Sequence, residues 1–132
     1  MTPKINFGKI WLANLNPKAG TEPGKTRQVL IMQNQVLLDI AHPSTVIIPL
    51  ITNLIEGAEP LRIRIPASAN LERDSDALID QIRSIDNQRL IKGPLACCGQ
   101  STLRAVQNAI SEILGILAQF MRMIWTIAFI EI

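Results

Sequence analysis

The feature that most limits the fold of this chain is a long polar segment, residues 16–27, between two apolar runs. It contains two prolines and two glycines, so neither a continuous helix nor a central strand is expected to pass through it. Apolar residues at 10–15 and 29–32 predict two strands that are joined by this segment as a long loop. Such loops often carry binding groups, and this one holds two lysines, an arginine, a carboxylate and two threonine hydroxyls. Those side chains suit a substrate that carries phosphate.

Length and charge indicate one domain with a basic end. A chain of 132 residues with 48% apolar residues is typical of a single globular domain. The net charge of +2 does not by itself indicate nucleic-acid binding. However, residues 1–38 contain five basic side chains and one acidic one, whereas residues 56–86 contain seven acidic and four basic ones. The polar loop therefore lies in the basic third, where an anionic substrate is expected to bind.

The cysteine and histidine content excludes several classes of protein. The two cysteines, Cys97 and Cys98, are adjacent, and adjacent cysteines seldom bridge each other, so reduced thiols are predicted. With His42 as the single histidine, a two-histidine ribonuclease within one chain is excluded, and we predict no metal and no cofactor. The first residues lack an apolar secretion signal, which predicts a cytoplasmic protein.

Alternating and β-branched stretches predict a mostly β fold. Strands are expected at 45–51 and at 61–65, where Leu and Ile alternate with arginines that are expected to face outward. Pro49 cannot donate a ladder hydrogen bond, which indicates an edge or a bulge in the third strand. Apolar residues recur at helical spacing from Leu103 to Leu117, which predicts an amphipathic helix capped by Ser101. Together these elements form a small β-barrel with helical additions.

The pattern is less decisive in three places. Residues 36–38 fit one helical turn or the continuation of a strand. Residues 78–85 fit a helix slightly better than a strand, and Asp86 is a suitable N-cap for a short helix that follows it. A break in the chain is expected at Lys92–Pro94 because glycine and proline adjoin there.

The C-terminal part of the chain is apolar nearly all round. Gln119 and Arg122 interrupt this apolar run, which disfavours a membrane span of about 20 residues. We therefore predict a domain over residues 1–114 and an apolar tail over residues 115–132 that packs against another chain or is poorly ordered.

Several sequence features have both a chemical and a simpler structural interpretation. Residues 19–26 nearly match the phosphate-binding pattern G-x-x-x-x-G-K-[ST], but that pattern must open a helix and the residues after it are β-like. Arg27 is equally compatible with phosphate binding and with a surface ion pair to Glu22. His42 and the acidic segment 72–76 are interpreted as solvated turns.

Several separate motifs resemble the MazF/PemK toxins, and their order and spacing are kept over about residues 8–114. They are Gly-Lys-Ile-Trp-Leu at 8–12, Gly-Thr-Glu-Pro-Gly-Lys-Thr-Arg at 20–27 before an apolar run, and Pro-Leu-Ile-Thr-Asn at 49–53. The later signature of that family resembles residues 72–75, 80–86 and 88–90. Agreement of independent motifs makes this resemblance far more specific than the isolated match to the phosphate loop.

The resemblance implies the toxin of a type II toxin–antitoxin system: a metal-independent endoribonuclease that cuts single-stranded RNA or mRNA at specific sequences. It also implies an SH3-like β-barrel of the MazF/PemK/CcdB type with a C-terminal helix, in which residues 78–85 form a strand. The expected partners are single-stranded RNA, a MazE-like antitoxin whose acidic segment covers the RNA site, and a second copy of the chain. DNA is expected to be bound only through the antitoxin, and no membrane is expected.

The functional residues of the family map onto particular positions here. The resemblance implies Arg27 as the catalytic arginine, Glu22 as the loop glutamate and Thr52 as the catalytic threonine. The predicted RNA-binding residues are Lys18, Thr21, Lys25, Thr26, Asn53 and Gln81. Two positions depart from the usual pattern: Gln28 replaces a proline, and Ile51 replaces the first threonine of a pair. These departures leave an alternative, in which the chain is an SH3-like module that binds an antitoxin without cutting RNA.

Overall fold

The computed structural model describes residues 3–68, 70–116, 123–124 and 126–127. Its strands are β1 (Lys9–Asn14), β2 (Thr26–Ile31), β3 (Ser44–Ile51), β4 (Arg62–Ile65), β5 (Ser75–Leu78), β6 (Arg83–Asp86) and β7 (Leu90–Cys97). Its helices are α1 (Gln35–Asp39) and α2 (Gln100–Leu114), with single 3-10 turns at Ile79–Gln81 and Asn87–Arg89. The predicted fold class, mostly β with a C-terminal helix, is confirmed.

Strand β3 is the centre of the antiparallel sheet, whose order is β4-β5-β3-β2-β1-β7. One side of β3 pairs with β2, and the other side pairs first with β6, through Ile47, and then with β5, from Leu50 onward. Pro49 falls where the partner changes from β6 to β5. A residue that lacks an N–H is tolerated at such a change of partner, so β3 is an interior strand and not an edge.

Alternation along the strands creates two apolar clusters on opposite faces of the sheet. Leu30 and Ile48 belong to the first cluster, which α2 covers with Val106 and Ala109. The second cluster contains Trp11, Val29 and Ile47, among other residues. Strands β2 and β3 contribute to both clusters because their side chains alternate between the two faces.

The ambiguous segments resolve in different ways. Residues 36–38 lie in the short helix α1, whose N-cap Asn34 accepts a hydrogen bond from the N–H of Val36. Residues 78–85 form neither one helix nor one strand, because the 3-10 turn Ile79–Gln81 separates β5 from β6. This turn ends the pairing of β5 with β4 and lets β6 pair with a different part of β3.

The chain break predicted at Lys92–Pro94 is wrong, because these residues lie inside β7. The register between β1 and β7 shifts on both sides of Leu12, so residues 93–95 lie opposite Trp11 alone. This bulge accommodates Pro94, and the missing side chain of Gly93 leaves room for the indole ring of Trp11.

Replacing Gly93 by alanine is expected to destabilise the fold by about 1–3 kcal/mol, because the new methyl group overlaps the buried indole ring of Trp11. The measurement is the midpoint of urea unfolding, with Gly99→Ser as the matched control. A methyl group at residue 99 meets nothing within 4 Å, so this control is expected to change stability by less than about 0.5 kcal/mol. Equal midpoints for the two variants would contradict the packing described for β7.

The alternating pattern predicts that the arginines of β4 face solvent, but the structure shows both of them paired with a buried carboxylate. Arg64 Nε donates to Asp76 Oδ1 at 2.6 Å, and Arg62 Nη1 lies 3.3 Å from Asp76 Oδ2. The same carboxylate accepts a hydrogen bond from the N–H of Ile55 at 3.0 Å. Asp76 is only 1% exposed, so the interpretation of residues 72–76 as a solvated turn is wrong at Asp76. This network, named here the Asp76 cluster, ties the β3–β4 connection to β4 and β5.

The end of β7 carries the two cysteines, both of which are free thiols. Cys97 is exposed and Cys98 is buried. Burial, and secondarily the neighbouring Cys97, raises the pKa of the Cys98 thiol to about 11. Cys98 therefore behaves as an apolar core residue.

Helix α2 ends at Leu114 and is followed by Gly115 in the left-handed conformation, a common way for a helix to stop. Most of the apolar tail predicted at 115–132 lies outside the described residues. Within the part of the chain that the structure describes, no helix is long and apolar enough to cross a membrane.

Candidate active site

A cleft of about 450 Å³ opens where β2 begins and β3 ends. Residues 26–28 of β2 and residues 50–52 at the end of β3 line one part of it. Residues 70–73 and Ser75, on the segment that leads into β5, line another part, and Leu95 of β7 completes the lining. The cleft thus brings together four segments that are far apart in sequence.

Arg27 is the strongest candidate for a phosphate-binding group in this cleft. It lies near the start of β2, opposite Ala13 of β1, and its side chain is partly buried. Its Nε donates a hydrogen bond to the carbonyl oxygen of Gly24 at 2.8 Å. Among the described residues, its two terminal nitrogens have no hydrogen-bond or ion-pair partner. One edge of the guanidinium is therefore held by the protein, while the other remains available to bind an anion.

Thr52 reaches the same cleft because of the pairing between β2 and β3. Val29 of β2 pairs with Pro49 of β3. Two residues from this pair, towards the start of β2 and towards the end of β3, lie Arg27 and Ile51. Thr52 follows Ile51 in the chain. Thr52 lies beyond the last residue of β3 and is exposed. Its hydroxyl can donate to or accept from a substrate oxygen beside the Arg27 guanidinium.

The loop between β1 and β2 is fixed at its base. The N–H of Leu15 donates to the carbonyl of Lys25 at 2.8 Å, and the N–H of Lys25 donates to Asn16 Oδ1 at 2.7 Å. Arg89 Nη1 donates to the carbonyl oxygens of Asn14 and Asn16 at 3.1 and 2.6 Å. Arg89 thus holds the junction where β1 ends and the loop begins. Its position in the sequence does not indicate this role.

The other predicted residues of the loop do not line the cleft, whereas Thr26 does. Lys18, Thr21 and Lys25 are exposed on the loop. Glu22 is also exposed, and its Oε2 lies 3.8 Å from Arg83 Nη1, so the ion pair considered between Glu22 and Arg27 is not formed. Loop and cleft therefore form neighbouring but distinct surfaces.

Two further predicted RNA-binding residues also lie outside the lining of the cleft. Asn53 is exposed next to Thr52, and its carbonyl oxygen accepts a hydrogen bond from Arg62 Nη1 at 2.9 Å. Gln81 is partly buried in the 3-10 turn that precedes β6. The Asp76 cluster thus reaches Asn53 and helps to fix the segment that follows Thr52.

Five polar residues of the cleft are not indicated by the sequence as site residues: Gln28, Asn70, Glu72, Arg73 and Ser75. The sequence predicts a solvated turn around residue 72, and no local pattern indicates that this turn lines the same cleft as the start of β2. With Arg27, these residues give the cleft two positive side chains and one negative one. A net positive cleft is suited to a phosphodiester.

Metal-ligating side chains are not clustered anywhere in the described ranges. No group of three or more His, Cys, Asp or Glu side chains that could hold a metal ion occurs among residues 3–68, 70–116, 123–124 and 126–127. The groups that the cleft offers to a substrate are therefore guanidinium, hydroxyl, amide and one carboxylate.

Comparison with known proteins gives a consistent result. The model of a family described as "PemK-like, MazF-like toxin of type II toxin-antitoxin system" matches residues 6–114. The protein called endoribonuclease MazF from Staphylococcus saprophyticus is 37% identical over 111 residues, which cover 83% of this chain and 90% of that protein. Endoribonuclease MazF from Staphylococcus epidermidis is 36% identical over 114 residues, covering 85% and 92%.

Solved structures share the fold. The crystal structure of MazF from Deinococcus radiodurans has a TM-score of 0.72 and 21% identity, and the match covers 86% of this chain and 99% of that one. A crystal structure of MazE–MazF from the same organism contains a chain with a TM-score of 0.67 and 18% identity, with coverage of 86% and 98%.

Proposed function

The chain belongs to the PemK-like, MazF-like toxins of type II toxin–antitoxin systems and is an endoribonuclease, and we propose that it cuts single-stranded RNA in the cleft that contains Arg27 and Thr52. One observation carries this proposal: two residues that are separate in sequence line a single cleft, and the guanidinium there has terminal nitrogens without a partner in the described part of the chain. A guanidinium and a hydroxyl on one phosphate are suited to a reaction in which negative charge builds up on phosphorus-bound oxygens.

The proposed reaction uses the RNA's own 2′-hydroxyl and needs no metal. The 2′-oxygen bonds to the adjacent phosphorus, the bond from phosphorus to the 5′-oxygen breaks, and the products carry a 2′,3′-cyclic phosphate and a 5′-hydroxyl. One proton leaves the 2′-hydroxyl and one is gained by the 5′-oxygen. Arg27 stabilises the charge on the phosphorane-like transition state, and Thr52 donates a hydrogen bond to a phosphate oxygen.

Glu22 is proposed to handle a proton, because a positioned carboxylate can accept one from a hydroxyl. Glu22 is exposed on the loop that leads into Thr26 and Arg27, and its nearest ion-pair partner, Arg83, is 3.8 Å away. An exposed loop can adjust when RNA binds, and catalytic hydrogen bonds often tighten only in the complex. Lys18, Thr21 and Lys25 are proposed to hold the RNA backbone, along with Asn53 and Gln81, because phosphate contacts position the substrate.

We further propose that a MazE-like antitoxin binds this chain and that the chain acts as a homodimer. The Deinococcus radiodurans structure of similar fold contains MazF together with MazE. An acidic antitoxin segment would match the basic side chains of the loop and the two arginines of the cleft. Such a segment would occupy the surface that RNA needs, so the antitoxin would inhibit cleavage by simple competition.

Purified protein is expected to cut an unstructured RNA of mixed sequence into discrete fragments in the presence of EDTA. The upstream fragments should end in a 2′,3′-cyclic phosphate, and DNA of the same sequence should stay intact because it lacks the attacking hydroxyl. Mass spectrometry of the fragments checks both points. RNA that remains intact under excess protein would favour the antitoxin-binding module without cleavage, and activity that EDTA removes and Mg²⁺ restores would rule out the metal-independent reaction.

A further inference from the structure

We propose that residues 70–73, together with Gln28, read the bases beside the cleaved bond and so determine which RNA sequences are cut. This inference rests on the proposed function, since it assumes that the scissile phosphate binds at Arg27 and Thr52. It assigns a role to the part of the cleft that the catalytic mechanism does not use.

The two parts of the cleft come from separate segments. Arg27 and Thr52 lie where β2 and β3 meet, whereas residues 70–73 lie on the segment that leads into β5. A cleft of about 450 Å³ is large enough to enclose more than the phosphate group itself. If Arg27 binds the phosphate, the sugar and base that are attached to this phosphate lie next to residues 70–73.

The side chains on this segment are those that recognise base edges. Asn70 and Gln28 carry amides, Glu72 carries a carboxylate, and Arg73 carries a guanidinium. These groups can form paired hydrogen bonds with the edges of unpaired bases, which is how single-stranded RNA is read by sequence. Among the described residues, none of the four side chains has a hydrogen-bond or ion-pair partner.

The segment is also held firmly enough to be selective. Leu71 is 3% exposed in the first apolar cluster, and it exchanges backbone hydrogen bonds with Ser68 at 2.9 and 3.2 Å. On the other side, Asp74 Oδ1 accepts a hydrogen bond from the N–H of Ala67 at 2.7 Å, and Ser75 is 1% exposed. Exposed polar side chains are thus presented between two anchored positions, as a recognition element requires.

The sharpest test separates base reading from simple charge at Arg73. Lysine keeps the positive charge but loses the planar pair of donors, so Arg73→Lys removes base reading and leaves phosphate attraction. Full-length parent, Arg73→Ala, Arg73→Lys, Asn70→Ala and Gln28→Ala are incubated with one long RNA, and all cut sites are mapped by sequencing the new 5′ ends. The matched control is Arg104→Ala, an exposed arginine on α2 that does not line the cleft.

Each outcome decides the proposal. We expect Arg73→Ala and Arg73→Lys to relax the base preference at one position by about tenfold or more, as the loss of one good base contact does. Asn70→Ala or Gln28→Ala should relax a different position, and Arg104→Ala should leave the parent pattern. If Arg73→Ala slows all sites equally and Arg73→Lys restores them, or if all patterns match the parent, the segment does not read bases. A parent that cuts no RNA would instead refute the proposed function.

Discussion

Replacing Arg27 by alanine is expected to slow RNA cleavage by about 10²- to 10³-fold, the usual effect of removing one preorganised group that stabilises transition-state charge. The protein should still fold, because within the described ranges the guanidinium makes a single hydrogen bond, to the carbonyl of Gly24. Initial rates on a labelled RNA measure the effect, and Arg27→Lys should fall between parent and alanine because it keeps the charge without the fork. Thr52→Val should cause a smaller loss, since it removes only a neutral hydrogen bond.

Arg104→Ala serves as the control here as well, because it removes an equal charge from the surface outside the cleft. Thermal unfolding of each variant shows whether lost activity reflects lost structure. A folded Arg27→Ala protein that cuts RNA as fast as the parent, at the same sites, would show that this residue is not part of the catalytic centre.

Replacing Asp76 by alanine is expected to cost about 2–3 kcal/mol of folding free energy. Removing one partner of a fully buried ion pair costs about 3–5 kcal/mol, and the value here is lower because Arg62 and Arg64 remain 20% and 31% exposed. The variant also leaves the N–H of Ile55 without its acceptor. Urea unfolding at neutral pH measures the change, with Asp80→Asn as the control because Asp80 is exposed. Similar stabilities for the two variants would contradict the structural role of the Asp76 cluster.

The Asp76 cluster also predicts how stability depends on pH. Burial alone raises the pKa of the Asp76 carboxyl, but hydrogen bonds from Arg64, from the N–H of Ile55 and from Arg62 outweigh it and hold this pKa below the ordinary value of 3.8. Since the native pKa is lowered, the stabilisation is complete well above pH 3.8 and is lost as pH falls through the native value. Asp76→Ala should therefore lose less stability than the parent over that acid range.

Local periodicity was sufficient for much of the fold but not for its irregularities. Strands β2 and β3 and helix α2 follow from apolar patterns that depend only on neighbouring residues. The continuity of β7 does not, because Gly93 and Pro94 are tolerated only where a bulge faces the indole ring of Trp11. Likewise, arginines that alternate along β4 predict an exposed face, and only the distant Asp76 turns that face into a partly buried ion cluster.

The candidate site, too, was predicted only in part from the sequence. The placement of Arg27 and Thr52 in one cleft agrees with the roles that the resemblance to MazF/PemK toxins implies, and these roles remain predictions. The local sequence does not predict the 70–73 side of the cleft, because its placement in the same cleft as the start of β2 is a long-range property of the fold. The departures from the family pattern, Gln28 and Ile51, line this cleft together with Arg27 and Thr52.

The central position of β3 has a consequence for motion. Its backbone is bonded to β2 on one side and to β6 and then β5 on the other, and its side chains enter both apolar clusters. Local opening of such a strand requires most of the sheet to separate, so its amide protons belong to the slowest-exchanging part of the molecule. Thr52, one residue beyond the end of β3, is thus attached to the slowest-opening part of the sheet, which keeps its hydroxyl in a constant position relative to β2.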